Sequence, residues 1–355
     1  MKIATLFVSS ALVACGAPSE PPRTATPASS TADAPPSDSP PSDRPSPLPI
    51  LLLVGGPGAE GELLRVEPEG GPPRPLGLRA EAGYTGSIEK GSTAPVLSFD
   101  GRWVAYVHDR EAWVARADGS DARAITSFDA EGAEVLLAGW TPDSRGLLLG
   151  LWAEDTEDGP APPEDAPLGF HLWSVDGGLT AQPALSAFVG FTDAGDALFT
   201  RTSEGRIELL AQPLAGGDAR VVHTTTASTL GQISRGASGM VWSEAPNLVR
   251  ADRGEAPRVV VEGEWAEYQW PQLGPRGERI AYIHRVDDVD HVEVRDADGS
   301  TQRPHRCENP CRARWHDADT LLVSDGRVLL VPLDGGETRA LTDGPAEFVD
   351  VGVGR

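Results

Sequence analysis

The stretch HRCENPCRARWH (305–316) brings His305, Cys307, Cys311 and His316 close together in the chain. Two thiolates and two imidazoles are the donor set of a tetrahedral zinc site. The same two cysteines, with Pro310 between them, can instead close a short disulfide, and that reading is favoured if the chain is exported to an oxidising compartment. Carboxylates gather at Asp287, Asp288 and Asp290 (VDDVDHVE) and at Glu154, Asp155, Glu157, Asp158, Glu164 and Asp165 in an insert over 153–167. Hard oxygens suit calcium, but DDVD lacks the spacing and glycine of a calcium loop, so solvated hairpin tips are expected. Trp265, Tyr268 and Trp270 (EWAEYQWPQ) offer either an aromatic platform for a ligand or core packing, with packing favoured. A serine nucleophile needs a strained G-x-S-x-G turn, and none occurs; RGASGM around Ser238 has the wrong spacing. No catalytic, cofactor-binding or metal residue is therefore assigned, and no cofactor is expected.

The elements that must carry these residues are short strands. The chain has 355 residues, 39% hydrophobic and 6% aromatic, with 40 Gly and 32 Pro, a composition that suits turn-rich β structure. With 53 acidic against 30 basic residues its net charge of −23 disfavours nucleic acid and other polyanions as partners.

Segments such as WVAYV (103–107), LLLGLW (147–152) and LLLVGG (51–56) are almost continuously apolar. Such strands must be covered on both faces. They recur in copies over 96–126, 138–185, 189–223, 231–261, 271–304 and 313–342, with starts about 40–50 residues apart, the period of a propeller blade. Five of the six carry an Asp-Gly or Gly-Gly pair where a hairpin turn needs positive φ, as at Asp118-Gly119 and Asp298-Gly299. The N-terminal segment 50–78 has the later strands of a copy without its first. The C-terminal AEFVDVGVG (346–354) has a first strand and nothing after it. Together they complete one more blade, a closure that leaves no open edge. The expected fold is all-β, a β-propeller of seven blades, with six or eight left open.

The motifs SFDGRWVAYV, TPDSRGLLLG and GPRGERIAYI resemble the repeat of the TolB-like propeller family, which reads roughly S-P-D-G-x-x-I-A-Y. The resemblance covers about 50–355 and implies the propeller fold; it says little about function. TolB pairs its propeller with an N-terminal α/β domain, which has no counterpart ahead of these repeats, so its role is not carried over.

Ahead of residue 50 the sequence changes character. MKIATLFVSSALVAC (1–15) has one basic residue, an apolar run too short to span a bilayer, and the quartet LVAC, which resembles the bacterial lipoprotein lipobox. The resemblance implies cleavage after residue 14 and lipidation of Cys15, anchoring the chain to the cell envelope, with Gly16 favouring the outer membrane. Residues 16–49 contain 11 prolines and almost no large apolar side chain, and are expected to be a disordered tether. The organisation expected is thus a signal peptide (1–14), a lipidated cysteine and linker (15–49) and a propeller (50–355).

Two functional readings follow. The favoured one is a membrane-anchored, non-catalytic scaffold that binds an envelope protein or glycan. The other is an envelope enzyme of lyase, lactonase or hydrolase type. Histidines and carboxylates gathered at the mouth of the funnel would mark the enzyme.

Overall fold

A computed structural model describes residues 48–55, 60–68, 71–81, 92–127, 133–153, 168–182, 187–236, 238–263, 268–309 and 311–351. Its strands form seven sheets and no helix among the described residues. Six are antiparallel and four-stranded; the seventh is a four-stranded antiparallel meander joined at its inner edge by a fifth, parallel strand. In chain order, blade 2 runs from Val96–Leu97 to Arg123–Ala124, blade 3 from Ala133–Trp140 to Gly178–Ala181, and blade 4 from Phe188–Phe191 to Arg220–Thr225. Blade 5 runs from Leu230–Gly236 to Arg258–Val261, blade 6 from Tyr268–Leu273 to Thr301–Arg306, and blade 7 from Arg312–Trp315 to Arg339–Ala340.

Blade 1 is the composite. Ala346–Phe348 pairs antiparallel with Ile50–Val54, which continues into Glu60–Val66 and Arg74–Glu81. The chain end does more than close this blade, because Asp350–Val351 goes on to pair in parallel with Val96–Leu97 of blade 2. The C-terminus therefore clasps two blades.

Seven apolar clusters, one between each pair of neighbouring blades and the last between blades 7 and 1, make the core a closed ring. This geometry explains the nearly unbroken apolar runs. Along Ile50–Val54, Leu51 and Leu53 pack against blade 2 while Ile50 and Leu52 pack against blade 7. Alternate side chains on one strand thus serve two different cores.

First strands face the axis, fully buried in Phe188–Phe191; last strands form the perimeter, exposed in Arg123–Ala124 and mostly so in Gly178–Ala181. Unpaired perimeter edges invite association with other chains. They are blunted here by brevity in blades 2 and 7 and by register shifts in blades 1, 4, 5 and 6.

Candidate functional site

Alternation of strand direction sorts every connection onto one of two faces. Turns between first and second strands, and between third and fourth, share one face; second-to-third hairpins and blade-to-blade connections share the other.

The turn face holds the repeat motif. In blade 2 the Ser98 hydroxyl donates to Asp100 Oδ1 at 2.7 Å, the same oxygen accepts from the Arg102 amide at 3.0 Å, and the Trp103 amide donates back to Ser98 at 2.9 Å. Blade 3 repeats the box with Thr141, Asp143, Arg145 and Gly146. These side chains satisfy backbone donors that a tight turn would leave open. Gly119 (φ 88°) and Gly299 (φ 90°) occupy the left-handed region in the Asp-Gly-Ser turns of blades 2 and 6. The Ser120 and Ser300 hydrogen bonds hold the Asp118 and Asp298 carboxyls below the usual range.

Polar contacts on this face also tie blade to blade. The Asp100 amide donates to Ser144 Oγ at 3.0 Å, Arg253 Nε to Asp193 at 2.8 Å, and Arg279 Nη1 to Asp319 at 3.1 Å. Ser238 belongs here too: its hydroxyl donates to the Gly277 carbonyl at 3.1 Å, joining blades 5 and 6. His316 Nε2 lies 3.2 Å from the Pro68 carbonyl, joining blades 7 and 1. Burial holds its imidazole below the ordinary histidine range against the opposing pull of Asp317 and Pro68.

The hairpin face is built differently, from histidine–carboxylate pairs. His108 Nδ1 meets Glu60 at 2.7 Å between blades 2 and 1, His223 Nε2 meets Glu244 at 2.8 Å between blades 4 and 5, and His305 Nε2 meets Asp325 at 3.0 Å between blades 6 and 7. Burial pushes the Asp325 carboxyl up, but hydrogen bonds from the Glu308 amide, His305 and the Asn309 amide outweigh it, leaving the group lowered. Glu60, His108 and Asp109 bring three ligand atoms within 4.8 Å of one another, enough to touch a cation. Arg79 already sits 3.0 Å from the second Glu60 oxygen, so that carboxylate is partnered from within the protein.

The sequence-predicted residues fall as follows. Cys307 and Cys311 are joined as a disulfide at the connection between blades 6 and 7. The alternative zinc set does not converge, because His305 is on the hairpin face and His316 on the turn face, at opposite ends of Arg312–Trp315. Tyr268 and Trp270 belong to the first strand of blade 6, and Trp270 packs against the core between blades 6 and 7, as the favoured packing alternative expects. Trp265 lies outside the described residues, as do Cys15 and the acidic insert residues from 154 to 165. Asp287 and Asp288 form the exposed tip of a hairpin at positive φ, and Asp290 pairs with Arg285 at 2.8 Å.

The inner strands present Arg235, Arg312 and Arg314 with Glu134 and Glu347. Arg312 pairs with Glu347 at 3.0 Å, Arg314 lies over the Phe348 ring at 5.3 Å, and Arg235 over the Phe99 ring at 5.2 Å. Six of the seven histidines lie on second to fourth strands, and His316 follows an inner strand in its turn. The inter-blade histidine pairs had no signal in the sequence, since their partners are 48, 21 and 20 residues away.

No family model matches the chain, and no curated protein does. Among solved structures, a candidate 6-phosphogluconolactonase from Bacteroides fragilis is 14% identical with a TM-score of 0.52, over 87% of this chain and 100% of that one. An acylaminoacyl peptidase from Pyrococcus horikoshii is 16% identical with a TM-score of 0.52, over 80% of this chain and 48% of that one. TolB from Acinetobacter baumannii is 14% identical with a TM-score of 0.46, over 86% of this chain and 82% of that one. The chain spans about half the length of the peptidases it matches. Identities this low carry fold and nothing finer: the chain is a seven-bladed β-propeller.

Proposed function

We propose that this chain is a lipid-anchored, non-catalytic scaffold of a bacterial envelope, holding a propeller out on a proline-rich tether so that its faces bind an envelope protein. The observation that carries the reading is the allocation of polar groups. His108, His223 and His305 tie blade to blade through Glu60, Glu244 and Asp325, and the inner strands present mainly arginines, engaged with Glu347, Phe348 and Phe99. Convergent acid and base groups around a funnel are what an enzyme would require. The segment 1–49, with its lipobox-like LVAC and 11 prolines after Cys15, supports the anchor and tether.

Crosslinking in intact envelopes followed by capture of the chain should recover one reproducible protein partner, and Cys15→Ser should move the chain from the membrane to the soluble fraction. Recovery of no reproducible partner would count against the scaffold, and unchanged membrane association would count against the anchor. The second reading is an envelope enzyme of lyase, lactonase or hydrolase type, and a lactone is its first test substrate. Turnover of 6-phosphogluconolactone by the purified chain, above the uncatalysed rate, would replace the first reading with the second.

A further inference from the structure

The seven joints between blades follow one rule with one exception. In six of them the later blade faces its predecessor with a buried apolar residue from its third strand, such as Val66, Ala115, Trp173 or Leu210. Val249 and Val331 do the same for blades 5 and 7. At the joint between blades 5 and 6 that place is taken by Glu293, which is 3% exposed. The cluster there comprises six buried apolar residues, against fifteen between blades 2 and 3.

The missing apolar layer leaves a cavity of about 710 Å3, within the ~300–1,000 Å3 typical of small-ligand sites. One wall is the Val259–Val261 edge with Glu262; the other is the polar half of blade 6, with Glu293, Arg295, Thr301 and Arg303. Glu293 Oε1 accepts from His284 Nδ1 at 3.0 Å and from Arg303 Nε at 2.6 Å. The buried carboxylate is therefore fixed in place before any ligand arrives. Val259, 46% exposed, presents an apolar surface opposite.

We propose that this inter-blade cavity binds a neutral saccharide. Two carboxylates and two guanidiniums around it balance, so neither an anion nor a cation is favoured. They do offer acceptors and donors side by side, and each sugar hydroxyl both donates and accepts. The valine wall suits the C–H face of a pyranose ring. An extended peptide adding a strand to the same wall is disfavoured, because the register shift between Leu248 and Val249 leaves Val260 out of the ladder and bends the edge. The proposal builds on the scaffold reading by adding a ligand class to it.

The test is saturation-transfer NMR and titration on the full chain, purified in detergent, with cellotetraose and chitotetraose as neutral probes. Tetragalacturonate serves as the anionic probe and an alternating Thr-Val hexapeptide as the strand probe. At least one neutral oligosaccharide should bind, and Arg295→Ala, at a partly exposed position, should raise its Kd about tenfold or more with the unfolding transition retained. Thr301→Val should weaken it by a smaller factor. Binding of neither neutral probe, an affinity unmoved by both variants, or tighter binding of the anion or the peptide would overturn the proposal. An envelope capture without a protein partner would leave a positive result here intact, so the two readings fail separately.

Discussion

The joint between blades 2 and 3 and the joint between blades 5 and 6 come from the same repeat and are put to different use. In the first, Trp140 and Trp173 meet edge to face at 6.2 Å, and the Trp140 indole donates to the Val96 carbonyl at 3.0 Å. Arg116 lies over the Trp103 ring at 4.0 Å, so even the charged residue at the rim extends the packing. In the second joint the arginine at the rim, Arg303, turns onto a buried carboxylate. A closed ring fixes each blade from both sides. One joint can therefore give up apolar contact, because the strong joints elsewhere hold its two blades in register.

Both joints depend on ring closure. Deleting 346–355 removes the inner strand of blade 1 and the parallel clasp on blade 2. It is expected to cost more than about 5 kcal/mol, read as loss of a cooperative denaturant transition. A stability equal to the parent would refute the composite blade. Within the ring, Trp140→Ala removes a fully buried side chain and its hydrogen bond. It should cost about 3–5 kcal/mol in the same measurement.

The smallest effect sharpens the contrast. Replacing both Glu293 and Arg303 with Leu makes the weak joint resemble the others, and should leave stability unchanged or raise it by about 2 kcal/mol. A large loss would mean that the polar network holds the blades together. The pH response has a defined sign. Burial raises the Glu293 carboxyl, but hydrogen bonds from His284, Arg303 and Tyr282 bring it below the ordinary value of 4.5. The folded chain thus binds its proton less readily than the unfolded chain. That contribution is complete above the ordinary value and is lost as pH falls through the lowered one. The double variant should flatten the acid limb of the stability curve in part only, since Asp252 and Asp325 are lowered as well.

Much of this fold is legible before any coordinates. Asp100-Gly101 and Asp118-Gly119 mark their turns because positive φ and side-chain caps depend on residues only two or three positions apart. AEFVDVGVG and ILLLVGG each reveal half a blade because a missing strand shows in a repeat. The further pairing of Asp350–Val351 with blade 2 was not legible, since two residues carry no periodicity. The aromatic trio was readable only as a choice between core and ligand, and Trp270 went to the core. Glu293 carries no signal of its own, because HVEVR reads as an ordinary alternating strand whether its glutamate meets solvent or another blade.

The local quantities are written in the chain: the blade period, the turns, the doubly covered strands, the composite blade and the acidic balance. Each depends on neighbouring residues or on composition, where sterics and hydrogen bonding act over a few positions. Which histidine meets which carboxylate, on which face each pair sits, and which joint lacks its apolar layer are properties of the folded ring. Those contacts join residues from different blades, and only closing the ring brings them within hydrogen-bonding distance.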